Sequence, residues 1–251
     1  MNAGNLNGLI ACRHHPIVYQ NVPKAGCTSI KCQLYKLDTG TYPENPVMIH
    51  RRIRRGAALV NFRNLDLLNK RLSERKIIFT FVRHPLNRAY SCFMEKIFFV
   101  HEFSFPNIRR YIEANFEASF PDAAVLATRT SVDGYDADQH RQNFKGFLSF
   151  VKQNMAGKTS VRKDPHWGLQ SRMLNNLKHG YAVDYIGKIE NFKEEFERVL
   201  LMAGVRDELD FNHRFNETPP FEITLDNIID DEIRENSFGV YGEDYRQYDY
   251  K

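Results

Sequence analysis

Short apolar runs alternate with amphipathic stretches along this chain, and the alternation predicts strands that alternate with helices. Ile17, Val18, Tyr19 and Val22 have the β-branched and aromatic character of a buried strand. The run at 76–82 is almost wholly apolar, as expected of a central parallel strand, and 182–187 is a third strand candidate. The 3.6-residue period predicts helices at 64–75, 86–100, 107–116, 138–154, 170–177, 190–203 and 226–235.

The first predicted strand leads into a helix through a short turn. Pro23 and Gly26 break the strand, and Thr28 or Ser29 can cap the helix that follows. Unpaired backbone N–H groups and the positive end of the helix dipole converge at such a turn. Lys24 adds a mobile charge, and the hydroxyls add donors. The segment therefore predicts a phosphate-binding loop.

The order of residues in this turn differs from the nucleotide-hydrolysing P-loop, G-x-x-x-x-G-K-[ST]. Here the lysine precedes the glycine, in K-A-G-C-T-S, which argues against an NTPase loop. A second segment, R-H-P-L-N-R-A-Y-S, puts Arg83 at the end of the next strand and Ser91 on the helix after it. These two side chains can bind a second phosphate, whereas Arg88 is predicted to brace the loop. Two phosphate sites imply a nucleotide phosphorylated at two positions.

Strand, turn and helix thus recur in series, which is the rhythm of βαβ units. We predict an α/β fold: a single P-loop-like domain over residues 1–251, with a central parallel sheet flanked by helices and a loose lead-in at 1–15. A chain of 251 residues suits one large domain. Ligand sites in such sheets lie at the carboxyl ends of the strands.

The two segments together resemble a known family. V-P-K-A-G-C-T-S resembles the 5′-phosphosulfate loop of the PAPS-dependent sulfotransferases, and F-V-R-H-P-L-N-R-A-Y-S-C-F resembles their 3′-phosphate motif. The closest resemblance is to the carbohydrate sulfotransferases of the chondroitin, dermatan and HNK-1 type, sulfotransferase family 2. D-P-H-W at 164–167, D-Y-I-G-K-I-E at 184–190 and the tyrosine-rich ending at 241–250 fit as well. His84 departs from the pattern, since an acidic residue usually precedes the proline.

The resemblance implies transfer of the sulfuryl group of PAPS (3′-phosphoadenosine 5′-phosphosulfate) to an acceptor hydroxyl by in-line displacement. Lys24 is the implied catalytic residue at the leaving phosphate. The acceptor implied is a glycan or glycolipid; nucleic acid and metal are not implied. The residues implied to bind the sulfuryl donor are Lys24, Ala25, Gly26, Cys27, Thr28, Ser29, Arg83 and Ser91.

Two histidines are candidates for the base, because a histidine suits removal of an alcohol proton near neutral pH. His50 follows a short apolar run between the two phosphate motifs, where the related uronosyl 2-O enzymes carry a catalytic histidine, and it is the favoured candidate. His166 is the alternative, which could instead bind substrate or pack under Trp167. The basic cluster H-R-R-I-R-R at 50–55 is either a solvated face or a contact surface for an anionic ligand.

Composition bounds the setting. A net charge of +4 favours an anionic ligand. The four cysteines lack metal-ligand spacing and are predicted to be free thiols. No apolar run approaches the length of a membrane span and no signal peptide is recognised, so we expect a cytoplasmic protein without a membrane anchor, with a shortened Golgi-type enzyme as the less favoured alternative.

Two other functions compete with sulfuryl transfer. A P-loop kinase for a small acceptor would use Mg²⁺ and ATP, which the order of residues in the loop argues against. A non-catalytic module would retain a nucleotide or glycan site without a base.

Overall fold

The computed structural model describes residues 8–54, 59–61, 64–122, 131–175, 181–207, 209–211, 215 and 221–251. The chain forms two compact units. The first comprises Met1–Arg83 and Arg172–Glu217, and the second comprises His84–Ser171 and Thr218–Lys251. Each unit has buried apolar side chains of its own, so each packs around its own core.

The first unit contains a five-stranded sheet in the order β3-β1-β2-β4-β5. Strands β2, β4 and β5 are parallel, whereas β1 runs antiparallel to both of its neighbours. The predicted α/β class is confirmed, but the prediction of a parallel sheet is wrong at β1, so the sheet is mixed. The strands are β1 (Leu9–Ala11), β2 (Ile17–Gln20), β3 (Val60–Asn61), β4 (Ile77–Val82) and β5 (Tyr185–Lys188).

Strand β1 lies inside the segment 1–15 that was expected to be a loose lead-in. Its three residues are buried and pair with β2 through Leu9 and Gln20, and through Ala11 and Val18. A run of three apolar residues is too short to show a period of two, so its pattern does not separate it from a loop.

The helices follow the predicted periods closely in most places. The 226–235 prediction is wrong, because Ile229 is extended (φ −67°, ψ 127°) and separates two helices. Asp230 caps the second of them by accepting a hydrogen bond from Ile233 N at 2.9 Å. In chain order the α-helices of the described residues are α1 (Cys27–Thr39), α2 (Ile49–Arg54), α3 (Leu65–Glu74), α4 (Pro85–Cys92), α5 (Pro106–Asn115), α6 (Ala137–Met155), α7 (Gln170–Leu174), α8 (Phe192–Ala203), α9 (Leu225–Ile228) and α10 (Asp231–Gln247).

The burial of strand β4 explains the almost wholly apolar run at 76–82. All six of its residues are buried, and it lies between β2 and β5 in the sheet. Tyr19 of β2 pairs with Phe79 of β4, which pairs with Tyr185 of β5. Since parallel strands end at the same edge, the turn after β2 and the turn after β4 leave the same edge of the sheet.

The second unit is helical in its described part and has an aromatic core. Phe93, Phe98, Phe144 and Phe147 are fully buried there, and α4 continues into a π-helical turn over Phe93–Phe98. His140 is also fully buried, with Tyr135 Oη 3.0 Å from its Nδ1 and Tyr90 Oη 3.1 Å from its Nε2. Burial lowers the pKa of His140 to about 4.

Candidate functional site

The turn between β2 and α1 has the backbone of an anion-binding loop. Lys24 and Gly26 both have left-handed conformations, with φ of 66° and 70°. Gly26 is the N-cap of α1 and provides no side-chain cap, and the first backbone bond of the helix runs from Ile30 N to Gly26 O at 3.0 Å. The amides of residues 27–29 therefore precede the helical ladder, which leaves them available to an anion.

Gly26 is favoured by space as well as by conformation. A Cβ at this position would lie 2.3 Å from Cδ1 of Ile189, the residue that follows β5. The loop therefore approaches the end of β5 more closely than any side chain at position 26 would allow without a shift of Ile189.

The first helix and α2 bring three polar side chains into one chain of hydrogen bonds. His50 Nε2 lies 3.0 Å from Thr28 Oγ1, and His50 Nδ1 lies 2.9 Å from Lys31 Nζ. Lys31 and Thr28 are 4% and 5% exposed, whereas His50 is half-buried. Both ring nitrogens of His50 are thus hydrogen-bonded to side chains of α1, the helix that follows the loop.

The partners of His50 determine where its ring proton lies. A protonated lysine can only donate, so Nδ1 of His50 accepts from Lys31. The proton of the neutral ring is then on Nε2, which donates to Thr28 Oγ1. In this arrangement His50 has no free lone pair with which to remove a proton.

The two phosphate motifs meet at their first residues within the first unit. Arg83, directly after β4, donates from Nη1 to the carbonyl oxygen of Lys24 at 3.4 Å. Lys24 and Arg83 are both half-buried. Ser29, predicted to bind the sulfuryl donor, donates from Oγ to the carbonyl oxygen of Phe215 at 3.4 Å. The turn after β2 and the turn after β4 are therefore joined.

The basic cluster at 50–55 is described only in part. His50 and Ile53 are placed, but the side chains of Arg51, Arg52 and Arg54 and the whole of Arg55 lie outside the described residues. The predicted role of this cluster in binding an anionic ligand stays a prediction.

In the second unit Arg88 supports the D-P-H-W segment. Arg88 is 1% exposed, and its guanidinium donates to the carbonyl oxygens of Pro165 and Gly168, each at 2.8 Å. Arg88 thus braces the segment that carries His166, which is a different segment from the phosphate loop that the sequence predicts it to brace. Ser91 lies on the same helix, α4, and is half-buried.

His166 has the proton arrangement that His50 lacks. Its Nδ1 lies 2.5 Å from Asp164 Oδ1, and its backbone N–H donates to the same oxygen at 2.9 Å. Burial opposes ionisation of Asp164, but the hydrogen bonds and charge of His166, with the charge of Lys96, lower its pKa overall. A carboxylate that accepts from Nδ1–H leaves the lone pair on Nε2, which is the tautomer that a general base needs.

Side chains that sequence reasoning missed hold the segment around His166. Trp167 is fully buried; its Nε1 donates to Asn154 at 2.8 Å, and its carbonyl oxygen accepts from Tyr241 at 3.2 Å. Asp244, also fully buried, accepts from the backbone N–H groups of residues 170 and 171 at 2.9 and 2.8 Å. Only the polarity of Asn154 and Asp244 within otherwise helical, partly apolar stretches signals their role.

The family model that matches this chain is described as "Sulfotransferase family", and it matches residues 7–251. The chain belongs to the sulfotransferase family. The matched range includes both compact units and all the candidate residues above. The resemblance found in the sequence is thereby confirmed.

Curated relatives of this sulfotransferase family member are carbohydrate sulfotransferases. Human carbohydrate sulfotransferase 9 is 26% identical over 200 residues, covering 78% of this chain and 41% of the relative. Mouse carbohydrate sulfotransferase 8 is 24% identical over 247 residues (94% and 54%), and mouse carbohydrate sulfotransferase 12 is 25% identical over 228 residues (82% and 50%). The chain spans about half the length of these relatives. No solved structure matches it significantly.

His84 is the position at which this family member departs from the motif. Its Nε2 lies 3.1 Å from the carbonyl oxygen of Lys251, and its ring meets those of Tyr245 and Tyr250 edge to face at 5.4 and 5.3 Å. The histidine therefore contacts the C-terminal segment.

Among the helices of the described part, none is both long and apolar enough to cross a membrane.

Proposed function

We propose that this chain is a PAPS-dependent sulfotransferase that sulfates a hydroxyl group of a carbohydrate. The observation that carries the proposal is the turn after β2, where Lys24 and Gly26 are left-handed and the N-terminus of α1 has no side-chain cap, in a member of the sulfotransferase family. We further propose that the turn works as a P-loop-like element and that the two units together form one sulfotransferase domain, since one family model spans both.

The donor-binding roles follow the two motifs. Lys24 and the backbone amides of residues 25–28 are proposed to bind the 5′-phosphosulfate group, with the hydroxyls of Thr28 and Ser29. Arg83 and Ser91 are proposed to bind the 3′-phosphate. Arg83 suits this role because its guanidinium offers forked donors to phosphate oxygens.

The reaction proposed is a direct transfer. A bond forms between the acceptor oxygen and sulfur while the bond between sulfur and the 5′-phosphate oxygen breaks, leaving the 3′,5′-bisphosphate PAP. Lys24 stabilises the negative charge that develops on the leaving phosphate oxygen. The acceptor loses its proton to a base as sulfur arrives. The prediction that no metal takes part stays a prediction.

The base proposed is His166, with His50 as the alternative. The sequence favoured His50, but its two ring nitrogens are engaged by Lys31 and Thr28. His166 is oriented by Asp164 through Nδ1, which leaves the lone pair of Nε2 for an acceptor proton. The hydrogen bonds within each unit therefore favour His166.

The class of acceptor and the cellular compartment are also proposed. The printed names of the relatives support a carbohydrate acceptor, and the basic cluster at 50–55 motivates an anionic one. Cytoplasmic location remains a proposal, motivated by four free cysteines of which three are buried.

Calorimetry with PAP followed by a transfer assay with radiolabelled PAPS tests the proposal. We expect PAP to bind and label to move to a glycan in a panel of acceptors. PAP binding without transfer to any glycan, glycolipid or phenol would favour the non-catalytic module. Absence of PAP binding with Mg²⁺-dependent ATP consumption would favour the kinase and overturn the proposal.

A further inference from the structure

We propose that Lys31 and His50 are positioning residues that hold the Thr28 hydroxyl as a hydrogen-bond donor to the anionic group in the loop. The proposal rests on the proposed function, since that group is taken to be the 5′-phosphosulfate of the donor. It gives His50 a role different from that of a base, and it gives Lys31 a role that the motifs do not suggest.

The direction of the hydrogen bonds carries the proposal. Lys31 donates to His50 Nδ1, and His50 Nε2–H donates to Thr28 Oγ1. A hydroxyl that accepts from an N–H keeps its own proton for another acceptor. Among the described residues, no acceptor for the Thr28 hydroxyl proton is found, and Thr28 is the second residue of α1, where the helix amides precede the ladder. An anion bound at these amides is the acceptor that completes the chain.

Burial increases the effect of this arrangement. The side chains at both ends are almost fully buried, Lys31 at 4% exposure and Thr28 at 5%. In such surroundings hydrogen bonds polarise their neighbours, and a positive charge at one end strengthens donation at the other. The Lys31 charge thus acts on the loop through His50.

The alternative, a catalytic base at position 50, predicts a different proton position and different kinetics. A base needs a free lone pair and acts on the acceptor, so its loss lowers kcat and leaves the affinity for PAP unchanged. A positioning residue for the donor site changes the affinity for PAP and the KM for PAPS. His50→Gln separates the two, because its amide can still donate to Thr28 but cannot act as a base.

A double-mutant cycle on PAP binding tests whether His50 acts through Thr28. We expect His50→Ala, Lys31→Met and Thr28→Val each to weaken PAP binding about tenfold, as loss of one charge-assisted hydrogen bond does. His50→Ala added to Thr28→Val should change the affinity by less than about twofold, because the hydroxyl through which it acts is gone. His50→Gln and Thr28→Ser should recover most of the affinity. The proposal would be overturned if the double variant lost PAP affinity by the product of the two single losses. Unchanged PAP affinity in His50→Ala would also overturn it.

Nitrogen NMR of the histidine rings in the free protein gives a readout independent of turnover. The signal lost in His50→Gln should show a protonated Nε2 and an unprotonated Nδ1, and Lys31→Met should shift the Nδ1 signal. A protonated Nδ1 would contradict the proposal. Should His50→Ala fail to fold, Lys31→Met and His50→Gln carry the test. If wild type bound no PAP at all, the proposed function would fail, whereas binding with independent mutational effects would remove this inference alone.

Discussion

The two loops that carry the candidate chemistry are built in different ways. The turn after β2, in the first unit, is shaped by its own backbone, with left-handed Lys24 and Gly26 directly before a helix. The D-P-H-W segment, in the second unit, is held by side chains from elsewhere, among them Arg88 of α4 and Tyr241 of α10. A loop of the first kind can be identified from neighbouring residues, whereas a loop of the second kind depends on distant ones.

The histidines of the two units differ in the same sense. His50 accepts from a lysine, so its proton lies on the nitrogen that faces Thr28. His166 donates to Asp164, so its lone pair lies on the opposite nitrogen. The charge of one neighbouring residue, Lys31 for His50 and Asp164 for His166, therefore suits the two histidines to different roles.

The strongest test of this contrast is loss of each histidine. We expect His166→Ala to lower kcat by about 10²–10⁴ with little change in PAP affinity, since proton removal by a positioned base contributes that much. His50→Gln should retain most of kcat. Steady-state kinetics with PAPS and calorimetry with PAP measure both. A normal kcat in His166→Ala together with a collapsed kcat in His50→Gln would reverse the assignment.

The next largest effect is expected at Lys24. Lys24→Ala should lower kcat by about 10²–10³, because charge at the leaving phosphate is no longer stabilised. Lys70→Ala is the matched control, since that side chain is 61% exposed on α3 of the same unit. A rate within twofold of wild type in Lys24→Ala would show that the loop does not hold the leaving group.

Arg88 tests whether side chains from elsewhere support the second loop. Arg88→Met removes a buried guanidinium and its two hydrogen bonds to the carbonyl oxygens of Pro165 and Gly168, at a cost of about 2–4 kcal/mol in unfolding free energy. Arg110→Met, at an exposed position on α5, should stay within about 0.5 kcal/mol. Urea unfolding measures both, and equal effects would argue against a bracing role.

The unfolding free energy should also depend on pH, because His140 is buried in the second unit. His140 is neutral when folded, with its pKa lowered from 6.5 to about 4, so the unfolded chain binds a proton more readily. Stability is retained above about pH 6.5 and lost as the pH falls towards 4, by about 3 kcal/mol. Urea unfolding between pH 7 and 4 should show this slope in wild type and in His101→Gln. His140→Gln should lose it; a slope that persists there would assign the pH dependence to other groups.

The smallest expected effect is the difference in stability between two glycine substitutions in the first unit. It separates the cost of backbone conformation from the cost of a side-chain contact. Gly26 and Gly40 have φ of 70° and 80°, but only Gly26 would place a Cβ against Ile189; Gly40 has nothing within 4 Å. Gly40→Ala should cost about 1 kcal/mol for its backbone alone, and Gly26→Ala somewhat more. Thermal unfolding measures the difference, which Ile189→Ala should reduce. Equal costs would mean that Ile189 moves aside freely.

The parts of the fold that were predicted correctly have a local cause. Strand β4 is buried along its whole length, so its sequence is apolar throughout, and the periods of α3, α6 and α8 follow the faces that they bury. The errors lie where local signals are short or ambiguous. Strand β1 has three residues, and the break at Ile229 occurs in a residue that favours neither a turn nor a helix end.

The α/β class, the family and the two motifs follow from the sequence alone, because each depends on residues that are close together in the chain and must satisfy local backbone geometry. The antiparallel β1, the partners of Arg88 and the proton positions on His50 and His166 become known only from the fold. Those features depend on which groups contact one another in the folded chain. The contacting residues are 2 positions apart for Asp164 and His166 and 80 positions apart for Arg88 and Gly168. A hydrogen bond assigns a proton through its geometry, and no spacing along the chain contains that geometry.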